Sequence, residues 1–157
     1  MSTNYYLKRI PTKEEIAQCH QLLDERKIDT DDLYGEDYGT PCLQSVLAEM
    51  TENVHLGKYS GGWRFLFRTN TNLYGKTIQS CMDYLARCLE SGRWRICDEY
   101  GKTITLNDFK KLIEDSLDGI TIINYYKKHP EERSWSMYGP QQEIAEDGSR
   151  WWYADFC

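Results

Sequence analysis

The chain has no apolar run near the roughly 18 residues that span a bilayer, so a transmembrane helix is not expected. Its first residues, Met1-Ser2-Thr3-Asn4-Tyr5-Tyr6, lack a basic stretch followed by an apolar one. No signal peptide is therefore expected there, and a cytoplasmic location is expected. It also lacks positive excess. The formal net charge of -6 gives no global attraction to phosphate backbones or anionic membranes. Direct nucleic-acid binding is therefore disfavoured, although a local basic pocket is compatible with that total.

Several chemical signatures are missing as well. Six cysteines, at 19, 42, 81, 88, 97 and 157, contain no Cys-x-x-Cys pair. In a cytoplasmic protein they read as reduced, buried or inert thiols. Zinc held by Cys19, His20 and Cys42 would need adjacent ligands and a fourth that is not evident, so no metal is expected. There is no Gly-x-x-x-x-Gly-Lys-Ser/Thr phosphate loop. There is no Gly-x-Ser-x-Gly elbow either, because Lys58 stands where the first glycine belongs. The three histidines, His20, His55 and His129, have no Ser or Cys placed for activation. No catalytic residue and no cofactor is assigned.

An acidic run from Asp24 to Asp37 resembles a calcium loop only in composition. Counted from Asp29, position 5 is Leu33 and Gly35 falls at position 7, so the ligand template fails. The run reads as a solvated connection.

What is present is material for one domain. The chain has 157 residues, of which 40% are hydrophobic, enough for a core and too many for a disordered chain. Twelve Tyr and five Trp make aromatics unusually abundant, and these side chains serve both cores and binding surfaces.

Along the chain, Asn4 to Ile10 reads as a strand ending at Pro11. Thr12 and Glu15 form a capping box for a helix whose apolar face is Ile16, Cys19, Leu22 and Leu23. Pro41 opens a second helix, giving a helical insert over about residues 12–50. Trp63 to Phe67 alternates as a strand, preceded by a glycine-rich turn, so His55 to Arg68 is expected to be a hairpin with a wide loop. Thr77 to Ser91 is a helix ended by Gly92. Trp94 to Cys97 and Thr103 to Thr105 are short strands around an Asp98-Glu99-Tyr100-Gly101 turn. Thr105 starts another helix, with Phe109, Leu112 and Ile113 as its stripe. Gly119 to Tyr126 reads as a strand, or as that helix continued. An Asp147-Gly148 turn predicts a C-terminal hairpin over about residues 142–156. The mixture lacks regular βαβ alternation. It predicts a single α+β domain: an antiparallel or mixed sheet with about four helices packed on it.

Four segments, taken in order, resemble a family of small phage and prophage proteins. They are Thr3 to Leu7 (Thr-Asn-Tyr-Tyr-Leu), His55 to Trp63 (a His-x-Gly-Lys-x-Ser-x-Gly-Trp pattern), Asp98 to Gly101 and Phe109 to Ile113. Together they cover 23 of the 157 residues, about a seventh of the chain. Relatives in that family carry a Cys-Pro-x-Cys-Gly knuckle between the first strand and the His-Gly-Lys segment. Here the helical insert stands in its place, so no metal site is implied. The resemblance implies phage or prophage origin, and with it the cytoplasm of an infected or lysogenic bacterium.

The candidate ligand site is Tyr6, His55, Gly57, Lys58, Tyr59, Ser60, Gly61, Gly62 and Trp63. Glycines let backbone N–H groups approach an anion, and Lys58 neutralises it. Ser60 adds a hydroxyl, Trp63 or Tyr59 stacks on a ring, and His55 donates or titrates. The same segment also suits a plain hairpin turn with Trp63 in the core. Tyr5 and Tyr6 alternate, so only one can share the site. The aromatic Trp151-Trp152-Tyr153 strand is either buried on both faces or a partner-binding surface.

The expected function is a non-enzymatic phage accessory protein that acts by binding. It would antagonise host defence by sequestering a nucleotide-type signal or by docking on a defence protein. A small enzyme using His55, Lys58 and Asp98 on a phosphorylated substrate is the alternative, and an assembly factor is a third. Oligomeric state is left open.

Overall fold

A computed structural model describes residues 2–25, 50–131 and 142–153. The second predicted helix, most of the acidic run, Cys42 and Cys157 lie outside these residues. The described part is α+β. Seven strands form one sheet: β1 (Ser2–Arg9), β2 (Asn53–Ser60), β3 (Leu66–Arg68), β4 (Trp94–Asp98), β5 (Thr103–Ile104), β6 (Gln142–Ile144) and β7 (Arg150–Trp152). Five helices accompany them: α1 (Lys13–Asp24), α2 (Thr71–Tyr74), α3 (Ile78–Glu90), α4 (Leu106–Ser116) and α5 (Ile122–Lys128). The strand order is β5-β4-β1-β2-β3-β7-β6. All pairs are antiparallel except β3 with β7, so the sheet is mixed.

Local chemistry sets the element ends. The Thr12 hydroxyl accepts from the Glu15 N–H, and the Glu15 carboxylate accepts from the Thr12 N–H, closing the expected capping box. Thr77 caps α3, and Gly92 beyond its end has φ +68, which only glycine adopts cheaply. Asp98 Oδ1 accepts from the N–H groups of Tyr100 and Lys102, holding the turn between β4 and β5.

One face of the sheet is the core face. Tyr5 and Leu7 from β1, Val54 and Leu56 from β2, Phe67 from β3, Ile96 from β4 and Trp151 from β7 all point there. Cys81, Met82 and Leu85 of α3 and Phe109 and Ile113 of α4 cover them. Phe65 meets Phe109 edge to face with centroids 5.5 Å apart, and Phe67 stacks on Trp151 at 4.6 Å. Burial pushes the Cys81 thiol up to about 12, as expected for an inert core cysteine.

Two expectations change. The hairpin expected over His55 to Arg68 is present, with β2 antiparallel to β3, but its glycine-rich first part through Ser60 is not turn but most of β2, flanked by β1 and β3. The register slips between Tyr5 and Tyr6, where Tyr5 faces Gly57 and Tyr6 faces His55, leaving Leu56 as the extra residue of a β-bulge. Glycine here permits close strand approach rather than a turn. A Cβ on Gly57 would lie 2.2 Å from the Leu66 carbonyl oxygen. The strand expected over Gly119 to Tyr126 is instead a single bridge from Ile120 to Trp63, followed by α5. The Thr121 hydroxyl accepts from the Asn124 N–H and starts that helix, so a cap overrides the β-branched run.

Candidate functional site

The second face of the sheet is built differently. Alternation along β1 turns Asn4, Tyr6 and Lys8 away from the core. The bulge in β2 keeps His55 and Lys58, three residues apart, on this same face: they pair with Tyr6 and Asn4. The Tyr6 and His55 rings stack at 4.8 Å, and the Lys8 ammonium lies 5.5 Å from the Tyr6 centroid.

Register carries the face across the sheet. Asn4 pairs with Lys58, Lys58 with Leu66 and Leu66 with Arg150. One row therefore has two cations with an apolar residue between them. The next row pairs Arg68 with Trp152.

Arg150 is the unusual member. It is 6% exposed, yet its Nε and Nη1 have no hydrogen-bond partner. Its guanidinium carbon lies 6.0 Å from the Trp63 ring centroid. Burial, with the Arg64 charge beside it, brings the Arg150 guanidinium down to about 10. Arg64 itself donates from Nε to the Gly119 carbonyl at 3.2 Å and from Nη1 to the Gly148 carbonyl at 3.1 Å. Both acceptors are neutral, so neither guanidinium is neutralised by these contacts.

Trp63 sits just past the Gly61-Gly62 turn, half-buried. Its ring is 5.5 Å from that of Tyr125 on α5. Beyond Tyr125 lies a cleft of about 410 Å³ lined by Gly119, Ile120, Asn124, Tyr125, Lys128 and His129. His129 stacks on Tyr125 at 4.5 Å.

The expected ligand residues thus divide. Tyr6, His55 and Lys58 share the second face. Tyr59 alternates to the other side and packs against the core. Gly57 is buried against Phe65 and Leu66. Ser60 ends β2, and Gly61 and Gly62 form the exposed turn, with the Gly62 carbonyl accepting from the Ile120 N–H. Of the aromatic C-terminal strand, Trp151 is fully buried, Trp152 lies on the second face beside Arg68, and Tyr153 is exposed. Tyr153 accepts from the Lys76 ammonium at 2.7 Å. Arg64, Arg68 and Arg150 were not singled out from sequence. The period-2 pattern of Arg64, Leu66 and Arg68 was the visible hint, but nothing in sequence announces the parallel pairing of β3 with β7.

The trio of His55, Lys58 and Asp98 is not assembled. Asp98 pairs with Tyr5 on the core face and spends Oδ1 on its own turn. Among the described residues no three His, Cys, Asp or Glu lie together as a metal site, and no helix is long and apolar enough to cross a membrane. Comparison with family models, curated proteins and solved structures gives no match, so the site is read from its own geometry.

Proposed function

We propose that this is a phage-encoded accessory protein that binds a ring-bearing anion of the nucleotide class and, by withholding it, antagonises a host defence system. The observation that carries the reading is Arg150, a buried guanidinium with unpartnered nitrogens beside the Trp63 ring. An unpaired buried charge costs several kcal/mol, and a bound anion relieves that cost. The surroundings suit the rest of such a ligand. Lys58 and Arg68 add charge on the same face, while Trp63, Trp152 and the Tyr6–His55 stack offer ring surfaces worth about 1–3 kcal/mol per stacked base. The defence context comes from the phage-like segments quoted above, and withholding rather than turnover from the separation of Asp98 from His55 and Lys58.

The test is mass spectrometry of small molecules retained by the purified protein from extract of defence-activated cells, before and after heat release. An intact nucleotide, lost in Lys58→Ala and Trp63→Ala proteins that remain folded, is the expected result. A chemically altered nucleotide would mean an enzyme. Retention of nothing would refute ligand binding and leave docking on a defence protein.

A further inference from the structure

The face described above contains a feature that narrows the ligand. Two arginines, Arg64 and Arg150, neighbour each other at the turn before β7. Arg64 Nη1 holds the Gly148 carbonyl, two residues from Arg150, and the Trp63 ring centroid lies 6.0 Å from the Arg150 guanidinium carbon. Arg64 has spent Nε and Nη1, leaving Nη2; Arg150 Nε and Nη1 are enclosed and have no hydrogen-bond partner. The nearest acidic residue in sequence, Asp147, is committed elsewhere. Its Oδ2 accepts from the Ile78 N–H, and its Oδ1 accepts from the Ser149 N–H and hydroxyl. Across Leu66 in the same row stands a further cation, Lys58. No described carboxylate is paired with either arginine, and the Arg64 charge lies close enough to act on Arg150, so two neighbouring positive charges stand without a paired carboxylate.

We infer that the bound anion presents two negative charges to Arg64 and Arg150 together, either as one phosphomonoester or as the paired diesters of a cyclic dinucleotide. This rests on the nucleotide reading above. A monoanion neutralises only one guanidinium and leaves the other facing it across a poorly screened site. A dianion meets both, and charge-assisted N–H···O bonds are roughly twice as strong as neutral ones. Leu66 is apolar and offers no competing polar partner in the row between Lys58 and Arg150.

The experiment is isothermal titration of the full chain with four classes of probe sharing the same bases. These are nucleosides, nucleoside cyclic 3′,5′-monophosphates (one charge), nucleoside 5′-monophosphates (two charges at one phosphorus) and cyclic dinucleotides (two charges at two). At about pH 7.5, above the second ionisation of a phosphomonoester near about 6, at least one doubly charged class is expected to bind about tenfold or more tighter than the singly charged class. Lowering the pH to about 5.5 separates the two sources: affinity for a monoester falls as it regains a proton, while that for a cyclic dinucleotide does not. Arg150→Met is expected to erase the gap between the charge classes. Equal affinity for singly and doubly charged ligands overturns the inference but leaves the nucleotide reading standing. A gap that survives Arg150→Met also overturns it. Binding of none of the four overturns both.

Discussion

Gly57→Ala tests the central geometric claim, that this glycine belongs to a crowded strand and not to an open loop. An alanine Cβ would sit 2.2 Å from the Leu66 carbonyl oxygen and 2.7 Å from Phe65 Cε1. The first is backbone of the neighbouring strand, so relief requires β2 and β3 to separate where Lys58 pairs with Leu66. Overpacking of this kind costs about 1–3 kcal/mol. The backbone φ of +150 adds about 1–2 kcal/mol for a residue with a Cβ. Together these give a loss of about 2–5 kcal/mol, or a fall in Tm of about 10 °C at this chain length. Urea unfolding should show a lower midpoint with unchanged slope. Gly61→Ala is the control: nothing lies within 4 Å of its added Cβ, and its change should stay within about 0.5 kcal/mol. If Gly57→Ala costs less than about 1 kcal/mol, the strands are not held this closely and the steric account of Gly57 is wrong.

Three further outcomes follow from single contacts. Ser116→Ala should cost about 1–3 kcal/mol in denaturant unfolding, because the buried hydroxyl accepts from the Phe65 N–H at 2.9 Å and donates to the Ile113 carbonyl; a neutral result would mean another group satisfies that N–H. Arg150→Met should stabilise the ligand-free protein by about 1–3 kcal/mol, by removing a buried unpaired charge. The sign follows from its depressed ionisation: the penalty is full below about pH 10 and fades as pH rises above it, so a destabilised variant at neutral pH would show that the guanidinium is compensated. Burial opposes ionisation of Asp147, but hydrogen bonds from Ser149 and from the Ile78 N–H outweigh it and hold the carboxyl below its ordinary value. Its stabilisation is therefore present above that value and lost as pH falls through the folded one, so Asp147→Asn should flatten the acid limb of Tm against pH. An unchanged limb would count against it.

Where one short-range interaction decides a structure, the residues announced it. Thr12 with Glu15, Thr77 before an apolar 3.6-residue stripe, Asp98 with Gly101 and Asp147 with Gly148 each specify an end or a turn through a hydrogen bond or a positive φ. The opposite facing of Tyr5 and Tyr6 follows from strand alternation alone. Local signals misled where two of them competed. Gly57 looked like turn chemistry because glycine serves both turns and close strand contacts, and only the partner strand distinguishes these. Residues 119–126 looked extended because Ile and Thr favour strands, until the Thr121 cap met a helix.

The site divides in the same way. Sequence by itself determined the fold class, the caps, most strand and helix identities, and the presence of Tyr6, His55, Lys58 and Trp63 as candidates for one ligand. Tertiary structure alone decided which of them share a face, since a one-residue bulge at Leu56 sends Lys58 toward His55 and Tyr59 toward the core. It alone brought Arg150 from the far end of the chain to Leu66, because a parallel strand pair joins segments whose separation in sequence carries no register information. Two cations with no carboxylate between them are a property of that pairing, and no local pattern in the chain encodes it.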